Sequence, residues 1–179
     1  MAPQADGKTA LLLIDIQRGL VEAPEGLYQA DAVVGRCADL LQRARTAATP
    51  IFHVQHDGGA GDDLARLSPG WQLHESVAPV SGEPVTEKST SSAFISGELH
   101  RRLQAAGITR LIIAGLQTDY CIDTNCRVAR NLGYDVTLAA DAHSTYDGGG
   151  LSAAQIIAHH NRILGSSTVT LRPAAEIVF

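Results

Sequence analysis

The chain has 179 residues, of which 45% are hydrophobic, and its formal net charge is −5. That length supports one sizeable core, so we predict a single domain over residues 1–179. A sequence pI of about 5.7 and no run of basic residues argue against nucleic acid as a partner, which leaves a small molecule as the expected ligand.

The first half of the chain alternates short β-rich runs with stretches of helical period. Ala10–Asp15 and Pro50–Gln55 are predicted strands, and apolar residues between them recur at helical spacing. Pro84–Glu87 is predicted as a weaker strand. A helix from about Ser96 to Ala106 should follow it, and Gly107 should end that helix.

The second half continues the same alternation. Arg110–Gly115 is an almost wholly apolar run, which is typical of a buried parallel strand, and a helix is predicted over Asp119–Leu132. Tyr134–Ala140 is the next strand, a capping box opens a helix over Ser152–Leu164, and Thr168–Leu171 is a possible last strand. We therefore predict an α/β fold with a mostly parallel sheet of about six strands and helices on both faces.

Candidate site residues follow the carboxyl ends of the predicted strands, because open parallel sheets bind their ligands there. The polar or reactive residues at these positions are Asp15, Gln17, His56, Asp57, Lys88, Cys121, Asp141 and His143. Cys121 also lies in the first turn of a predicted helix, where free N–H groups and the helix dipole favour a thiolate.

Cys121, Lys88 and Asp15 together form a possible acyl-transfer site. Lys88 can lower the pKa of the thiol, Asp15 can carry its proton, and the backbone N–H groups of Gln117 and Cys121 can bind an oxyanion. The structural alternatives are that Cys121 is inert packing at a helix start and that Lys88 is a solvated surface residue.

The three cysteines form neither an even disulfide set nor a CxxC pair, so we expect free thiols. Cys37 and Cys126 are assigned to packing, the first because it lies on the apolar face of its helix. Predicted contacts to the substrate come from a polar anchor and three aromatic residues, because small-molecule pockets are mostly apolar. These residues are Gln17, Trp71, Phe94 and Tyr120.

His53, His56 and Asp57 suggest a metal site, which would make the protein a metal-assisted hydrolase. His53 and His56 are three residues apart on a strand end, so they should point to opposite faces, and we predict no metal and no other cofactor. The metal-assisted hydrolase stays open as an alternative. A small-molecule binding domain without catalysis is the second.

Three ordered blocks of sequence carry a resemblance that spans nearly the whole chain. They are LLLIDIQRGL (Leu11–Leu20), EKSTSSAF (Glu87–Phe94) and AGLQTDYCIDTNCRVARNLGYDVTLAADAHST (Ala114–Thr145). Together they resemble the isochorismatase-like cysteine hydrolases, the superfamily that includes the nicotinamidases. The resemblance implies a Rossmann-like three-layer αβα fold and a catalytic triad of Asp15, Lys88 and Cys121. It also implies a cis peptide bond between Leu116 and Gln117.

Departures from the family pattern bear on the substrate. The segment FHVQHDGGAGDD (Phe52–Asp63) does not match the Asp-x-His metal cluster of nicotinamidases. The segments HVQHDG, PGWQLHESVAP (Pro69–Pro79) and IIAHHN (Ile156–Asn161) resemble a branch that includes streptothricin hydrolase, which opens a lactam ring. The resemblance thus implies a cysteine-dependent hydrolase of a small amide, lactam or related C–N bond, acting through a Cys121 thioester.

The predicted location is the cytoplasm. Met1–Thr9 lacks the basic region and long apolar core of a signal peptide, and Asp15 interrupts the first apolar run far short of a membrane span. The resemblance and the general frequency of symmetric dimers imply a homo-oligomer.

Overall fold

The computed structural model describes residues 7–179. The prediction that Met1–Thr9 is not a signal peptide therefore falls largely on residues 1–6, which lie outside the described residues. Six strands form one sheet in which every neighbouring pair is parallel. The strands are β1 (Lys8–Ile14), β2 (Ile51–His56), β3 (Val85–Lys88), β4 (Ile108–Leu116), β5 (Asp135–Ser144) and β6 (Thr170–Arg172). Their order across the sheet is β3-β2-β1-β4-β5-β6, so the winding direction reverses between β1 and β4.

Five helices in residues 7–179 connect the strands. They are α1 (Arg18–Val21), α2 (Ala30–Thr46), α3 (Glu98–Ala105), α4 (Asp123–Asn131) and α5 (Ala153–Ser167). Short 3₁₀ turns lie at Glu75–Val77 and Ala174–Glu176, and a π-helical turn lies at Thr118–Ile122. None of the helices in residues 7–179 has both the length and the hydrophobicity that a bilayer crossing needs.

The core lies in two layers, one on each face of the sheet. Alternate side chains of β1 point to opposite faces, as the period of a strand requires. Leu11 and Leu13 pack in the cluster that includes the apolar face of α2, whereas Leu12 and Ile14 pack in the cluster beneath α3, α4 and α5. The predicted α/β fold with a parallel sheet between two helical layers is confirmed.

Cys37 and Cys126 are both fully buried, one in each layer of the core, as the assignment to packing requires. Burial raises the pKa of each thiol to about 12, so both are neutral and unreactive.

Most observed element boundaries differ from the sequence prediction by a few residues, and two of the differences have identifiable reasons. Helix α3 begins at Glu98 rather than Ser96, because Gly97 has a φ of 72°, a left-handed conformation that a helix cannot include. Strand β5 continues to Ser144 rather than ending at Ala140. A shift of register opposite β4 accommodates the extra residues, so that Gly115 pairs with His143.

The predicted helix after β4 is two elements rather than one. The chain first forms the π-helical turn and enters α4 only at Asp123. Cys121 therefore lies in the π-helical turn, not in the first turn of an α-helix. Such turns occur often at functional sites because they widen the backbone locally.

Candidate active site

The end of β1 and the end of β4 bring two backbone segments unusually close together. A Cβ atom on Gly115 would lie 2.0 Å from the carbonyl oxygen of Ile14, so only glycine permits this approach. On the β1 side, Asp15 has a φ of 51°, a left-handed conformation that aspartate tolerates better than most residues. On the β4 side, the bond between Leu116 and Gln117 is cis, as the family resemblance implies.

Asp15, Lys88 and Cys121 meet at this edge of the sheet, with Lys88 in the centre. Its Nζ lies 2.7 Å from Oδ2 of Asp15 and 3.1 Å from Sγ of Cys121. The side chains of Asp15 and Lys88 are each only 1% exposed, so Lys88 is not the solvated surface residue of the structural alternative. The other oxygen of Asp15, Oδ1, is buried and has no hydrogen-bond partner within residues 7–179.

Burial dominates the proton affinities of this site. It raises the pKa of Asp15 above the usual carboxyl value, although the ammonium of Lys88 opposes that effect. It also raises the pKa of Cys121 to about 12, and the charge of Asp15 adds to the rise more than Lys88 can reverse. Burial therefore opposes the thiolate that the sequence predicts at this position, because desolvation of Cys121 outweighs the effect of the Lys88 ammonium.

The nucleophile loop is held by hydrogen bonds that surround Cys121. The carbonyl of Gln117 accepts hydrogen bonds from the N–H groups of Tyr120 and Ile122, at 3.2 and 3.0 Å. The N–H of Cys121, which lies between them in the chain, does not bond to this carbonyl. Below the loop, the amide of Asn125 donates to the carbonyl of Cys121 at 2.7 Å.

Sequence reasoning missed Asn125, which is fully buried. Its amide also donates to the carbonyl of Ser91 at 2.9 Å and its oxygen accepts the N–H of Ala93 at 2.8 Å. Asn125 thus ties the nucleophile loop to the segment after β3. The available signal was a polar side chain one helical turn after Cys121, in an otherwise apolar position.

Thr118 and His143 support the loop from the other side. The hydroxyl of Thr118 lies 2.8 Å from Nδ1 of His143, and Nε2 of His143 lies 3.0 Å from the side-chain oxygen of Asn161. Burial lowers the pKa of His143 to about 4, so this histidine is neutral. It therefore donates to Asn161 from Nε2 and accepts the Thr118 hydroxyl at Nδ1.

Asp141, the other candidate on β5, makes contacts that hold parts of the fold together. Its Oδ1 accepts the N–H of Ala174 at 2.7 Å, and its Oδ2 lies 3.2 Å from Nε of Arg36. Asp141 therefore fastens the carboxyl-terminal segment and α2 to β5.

Gln17 is fully buried and its amide bonds to backbone groups. Its nitrogen donates to the carbonyls of His56 and Trp71, at 2.9 and 2.8 Å, and its oxygen accepts the N–H of His56 at 2.8 Å. These bonds join the end of β1 to the loop after β2. Contact between Gln17 and a substrate stays a prediction, and the bonds described here do not support it.

The three aromatic candidates differ in exposure. Phe94 is buried and packs in the core, with a distance of 6.2 Å between its ring centroid and that of Tyr134. Trp71 is half-buried, and its indole N–H is buried without a hydrogen-bond partner in the described part of the chain. Tyr120 is 58% exposed beside Cys121. Their contacts with a substrate stay predictions.

The residues of the metal alternative do not converge. Nε2 of His53 lies 3.1 Å from Glu83, whereas Nδ1 of His56 lies 3.2 Å from Nζ of Lys88. The carboxylate of Asp57 accepts the backbone N–H groups of Gly59 and Arg66. Residues 7–179 contain no group of three or more His, Cys, Asp and Glu side chains arranged to hold a metal ion.

A cavity of about 720 Å³ lies beside α1, near the same edge of the sheet. The loop after β2 contributes to its wall, together with the segment after β5. Its charged and aromatic lining residues are Glu25, Tyr28, Asp62, Asp63, Tyr146 and Asp147.

The fold and the site define an α/β domain of doubly wound topology, with a buried lysine and aspartate and a partly buried cysteine at the point where the winding reverses. A model of the isochorismatase domain matches residues 9–160. The chain belongs to the isochorismatase family, as its sequence blocks predicted.

Several curated relatives are hydrolases by name, and two of them represent the range. Streptothricin hydrolase from Streptomyces noursei is 40% identical over 77% of this chain and 50% of its own length. Maleamate amidohydrolase from Pseudomonas putida is 31% identical over 71% of this chain and 68% of its own length. The chain thus spans about half the length of the streptothricin hydrolase that it matches.

A solved structure, an isochorismatase from Pseudomonas putida, superimposes with a TM-score of 0.92 and 31% sequence identity. The match covers 99% of this chain and 94% of that one, so the whole described fold is shared.

Proposed function

We propose that the chain is a cysteine-dependent hydrolase that cleaves a small amide, lactam or related non-peptide C–N bond. The observation that carries the proposal is the position of Lys88, whose Nζ contacts both Asp15 and Cys121 inside a buried site. The names of the two curated relatives, a streptothricin hydrolase and a maleamate amidohydrolase, support this class of substrate.

The first half of the reaction forms a thioester. Because burial raises the pKa of the Cys121 thiol, its proton passes to Asp15 as Sγ attacks the substrate carbonyl, and Lys88 stabilises the sulfur as it becomes negative. The oxyanion forms near the N–H groups of Gln117 and Cys121, which are its proposed donors. Asp15 then returns the proton to the departing amine, and Sγ keeps the acyl group.

The second half releases the acid. Asp15 takes a proton from water, the resulting hydroxide attacks the thioester, and the same two N–H groups hold the second oxyanion. Collapse expels the Cys121 sulfur, which takes the proton back from Asp15. Asp15 must be ionised to begin each half of the reaction, and burial raises its pKa. As the pH is lowered, activity is therefore expected to be lost at a higher pH than it would be with an exposed aspartate.

The substrate contacts complete the proposal. Trp71, Tyr120 and Phe94 are the proposed aromatic contacts of the substrate, and the proposal is supported by the exposed ring of Tyr120 and by the indole N–H of Trp71, which has no partner in residues 7–179. The ligand is a small molecule, and the protein is proposed to act in the cytoplasm as a homo-oligomer.

The test is a screen of primary amides, lactams and carbamoyl compounds for release of ammonia or amine, with Cys121→Ala as the blank. We expect turnover by the wild type and loss of essentially all of it in the variant. Intact mass after mixing with a slow substrate should show one acyl group on the wild type.

The same screen distinguishes the alternatives. Turnover that a chelator abolishes and iodoacetamide does not would replace this proposal with a metal-assisted hydrolase. A compound that binds equally well to the wild type and to Cys121→Ala, without turnover in either, would indicate a binding domain.

A further inference from the structure

Lys88 has a third close contact that the mechanism above does not use. Besides Asp15 and Cys121, its Nζ lies 3.2 Å from Nδ1 of His56, the last residue of β2. An ammonium group carries three N–H donors. The carboxylate, the sulfur and the imidazole nitrogen therefore account for all three.

This contact fixes the protonation of His56. Nδ1 can accept a hydrogen bond from an ammonium only if it carries no proton, so a neutral His56 must carry its proton on Nε2. The charged groups that act on His56 are Lys88 on β3, Asp15 after β1, and Asp57 and Asp62 in the loop after β2. Burial and the charge of Lys88 lower the pKa of His56 and so favour the neutral imidazole, although the three carboxylates act in the opposite direction.

The backbone of His56 is held independently of its ring. Gln17, which is fully buried, accepts the N–H of His56 at 2.8 Å and donates to its carbonyl at 2.9 Å. Strand pairing adds a second constraint, because His56 lies opposite Lys88 in the register of β2 and β3. The ring is thus presented to Nζ by a rigid frame, and a different side chain can be placed there without moving that frame.

We propose that His56 is a positioning residue for Lys88, whose ammonium it holds between Asp15 and Cys121 by accepting a hydrogen bond from its third N–H at Nδ1. Without that acceptor, the ammonium keeps its ion pair with Asp15 but can rotate its remaining protons away from Sγ. The sulfur then loses part of the support that it needs when it becomes negative. The inference rests on the proposed function, since it assigns His56 a task in the same site.

Three substitutions separate this role from a structural one. His56→Phe keeps a ring of similar size and removes the acceptor. His56→Asn places an oxygen close to the position of Nδ1, whereas His56→Gln carries its oxygen one carbon further out. His74→Phe is the matched control, because the ring of His74 accepts only the N–H of Ser76 among the contacts described for this structure.

The measurement is the rate at which iodoacetamide alkylates Cys121 in the folded protein, followed by intact mass. Alkylation reports on the thiol directly, so its result does not depend on finding the substrate or on the proposed hydrolysis. Loss of a hydrogen bond to a charged group should slow alkylation by about tenfold in His56→Phe and His56→Gln. His56→Asn should stay within about threefold of the wild type, and His74→Phe should match it.

Once a substrate is known, kcat should fall in His56→Phe with little change in KM, because the contact matters when the sulfur gains charge. The proposal would be overturned if Cys121 in His56→Phe were alkylated at the wild-type rate. It would also be overturned if His56→Asn and His56→Gln slowed alkylation equally. If His56→Phe does not fold, the comparison of the Asn and Gln variants still decides, because only one of them restores the acceptor.

Discussion

Two largely buried carboxylates near the sheet have pKa values that are shifted in opposite directions. Glu83, just before β3, bonds to the guanidinium of Arg45 at 2.7 and 2.9 Å, and to Nε2 of His53 and the N–H of Val80 at 3.1 Å each. Burial opposes its ionisation, but these partners lower its pKa to about 2. Asp15 has one charged partner, Lys88, and burial raises its pKa.

The difference lies in how many hydrogen bonds each carboxylate receives. Both oxygens of Glu83 are satisfied, so its charge is stable and it has no reason to take up a proton. Oδ1 of Asp15 is buried without a partner in the described chain, which is costly and leaves a site for a proton. A fully satisfied buried acid stabilises the fold, and an unsatisfied one beside a thiol is suited to proton transfer.

The sharpest test of this contrast compares activity in two matched variants, Asp15→Asn and Glu83→Gln. Asp15→Asn should lower kcat/KM by about a thousandfold, because an amide cannot accept the thiol proton. Glu83→Gln should leave kcat/KM within about twofold, since Glu83 contributes to the fold and not to the reaction. Steady-state kinetics on the best substrate of the screen would measure both, with circular dichroism as the check on folding.

A comparable loss of activity in the two folded variants would break the contrast. So would an Asp15→Asn variant that keeps most of its activity.

A second comparison concerns stability when the cation of each cluster is removed. Lys88→Met should lower the free energy of unfolding by about 3 to 5 kcal/mol, because it leaves a buried carboxylate unpaired. Arg45→Met should cost about 1 kcal/mol, because the Arg45 side chain is 28% exposed and water replaces part of its interaction. Urea unfolding followed by fluorescence would give both values.

The double variant Asp15→Asn and Lys88→Met provides the control for that mechanism. It should be more stable than Lys88→Met alone, because the unpaired charge is gone. If the double variant loses the sum of the two single variants' losses in the free energy of unfolding, the cost of Lys88→Met does not come from the buried carboxylate.

The smallest effect concerns pH and the stability that Glu83 provides. Its pKa is about 2 in the folded protein against a reference of 4.5, so its contribution is complete above about pH 4.5 and disappears as the pH falls towards 2. Glu83→Gln should therefore cost about 1 to 2 kcal/mol at neutral pH, and the difference from the wild type should shrink over that acid range.

Thermal melts of the two proteins between pH 2.5 and pH 7 would measure this dependence. A difference that stays constant over the whole range would show that the ionised form of Glu83 is not what stabilises the fold.

Much of the fold follows from patterns that are local in the sequence. The apolar runs and the helical period located all six strands, and the Ser152 capping box is present in the structure. The predicted element boundaries were wrong where contacts between distant parts of the chain determine them. Strand β5 reaches Ser144 because β4 offers a partner opposite His143, which the sequence around Ala140 does not reveal.

The site divides in the same way. Asp15 and Cys121 were selected because they follow apolar strands, and the sheet brings both to one edge. Lys88 by itself read as a surface residue. Its burial depends on the pairing of β2 with β3 and on the ion pair with Asp15, which is 73 residues away in the chain.

The sequence alone therefore determined the fold class, the family and the residues that can do chemistry, because these depend on residue type and short-range order. Only the tertiary structure decided the surroundings of those residues: burial raises the pKa of the Cys121 thiol, Oδ1 of Asp15 has no hydrogen-bond partner in residues 7–179, and Nδ1 of His56 lies 3.2 Å from Nζ of Lys88. Proton affinity depends on desolvation and on the exact set of neighbours, and both are set by segments that are far apart in the chain.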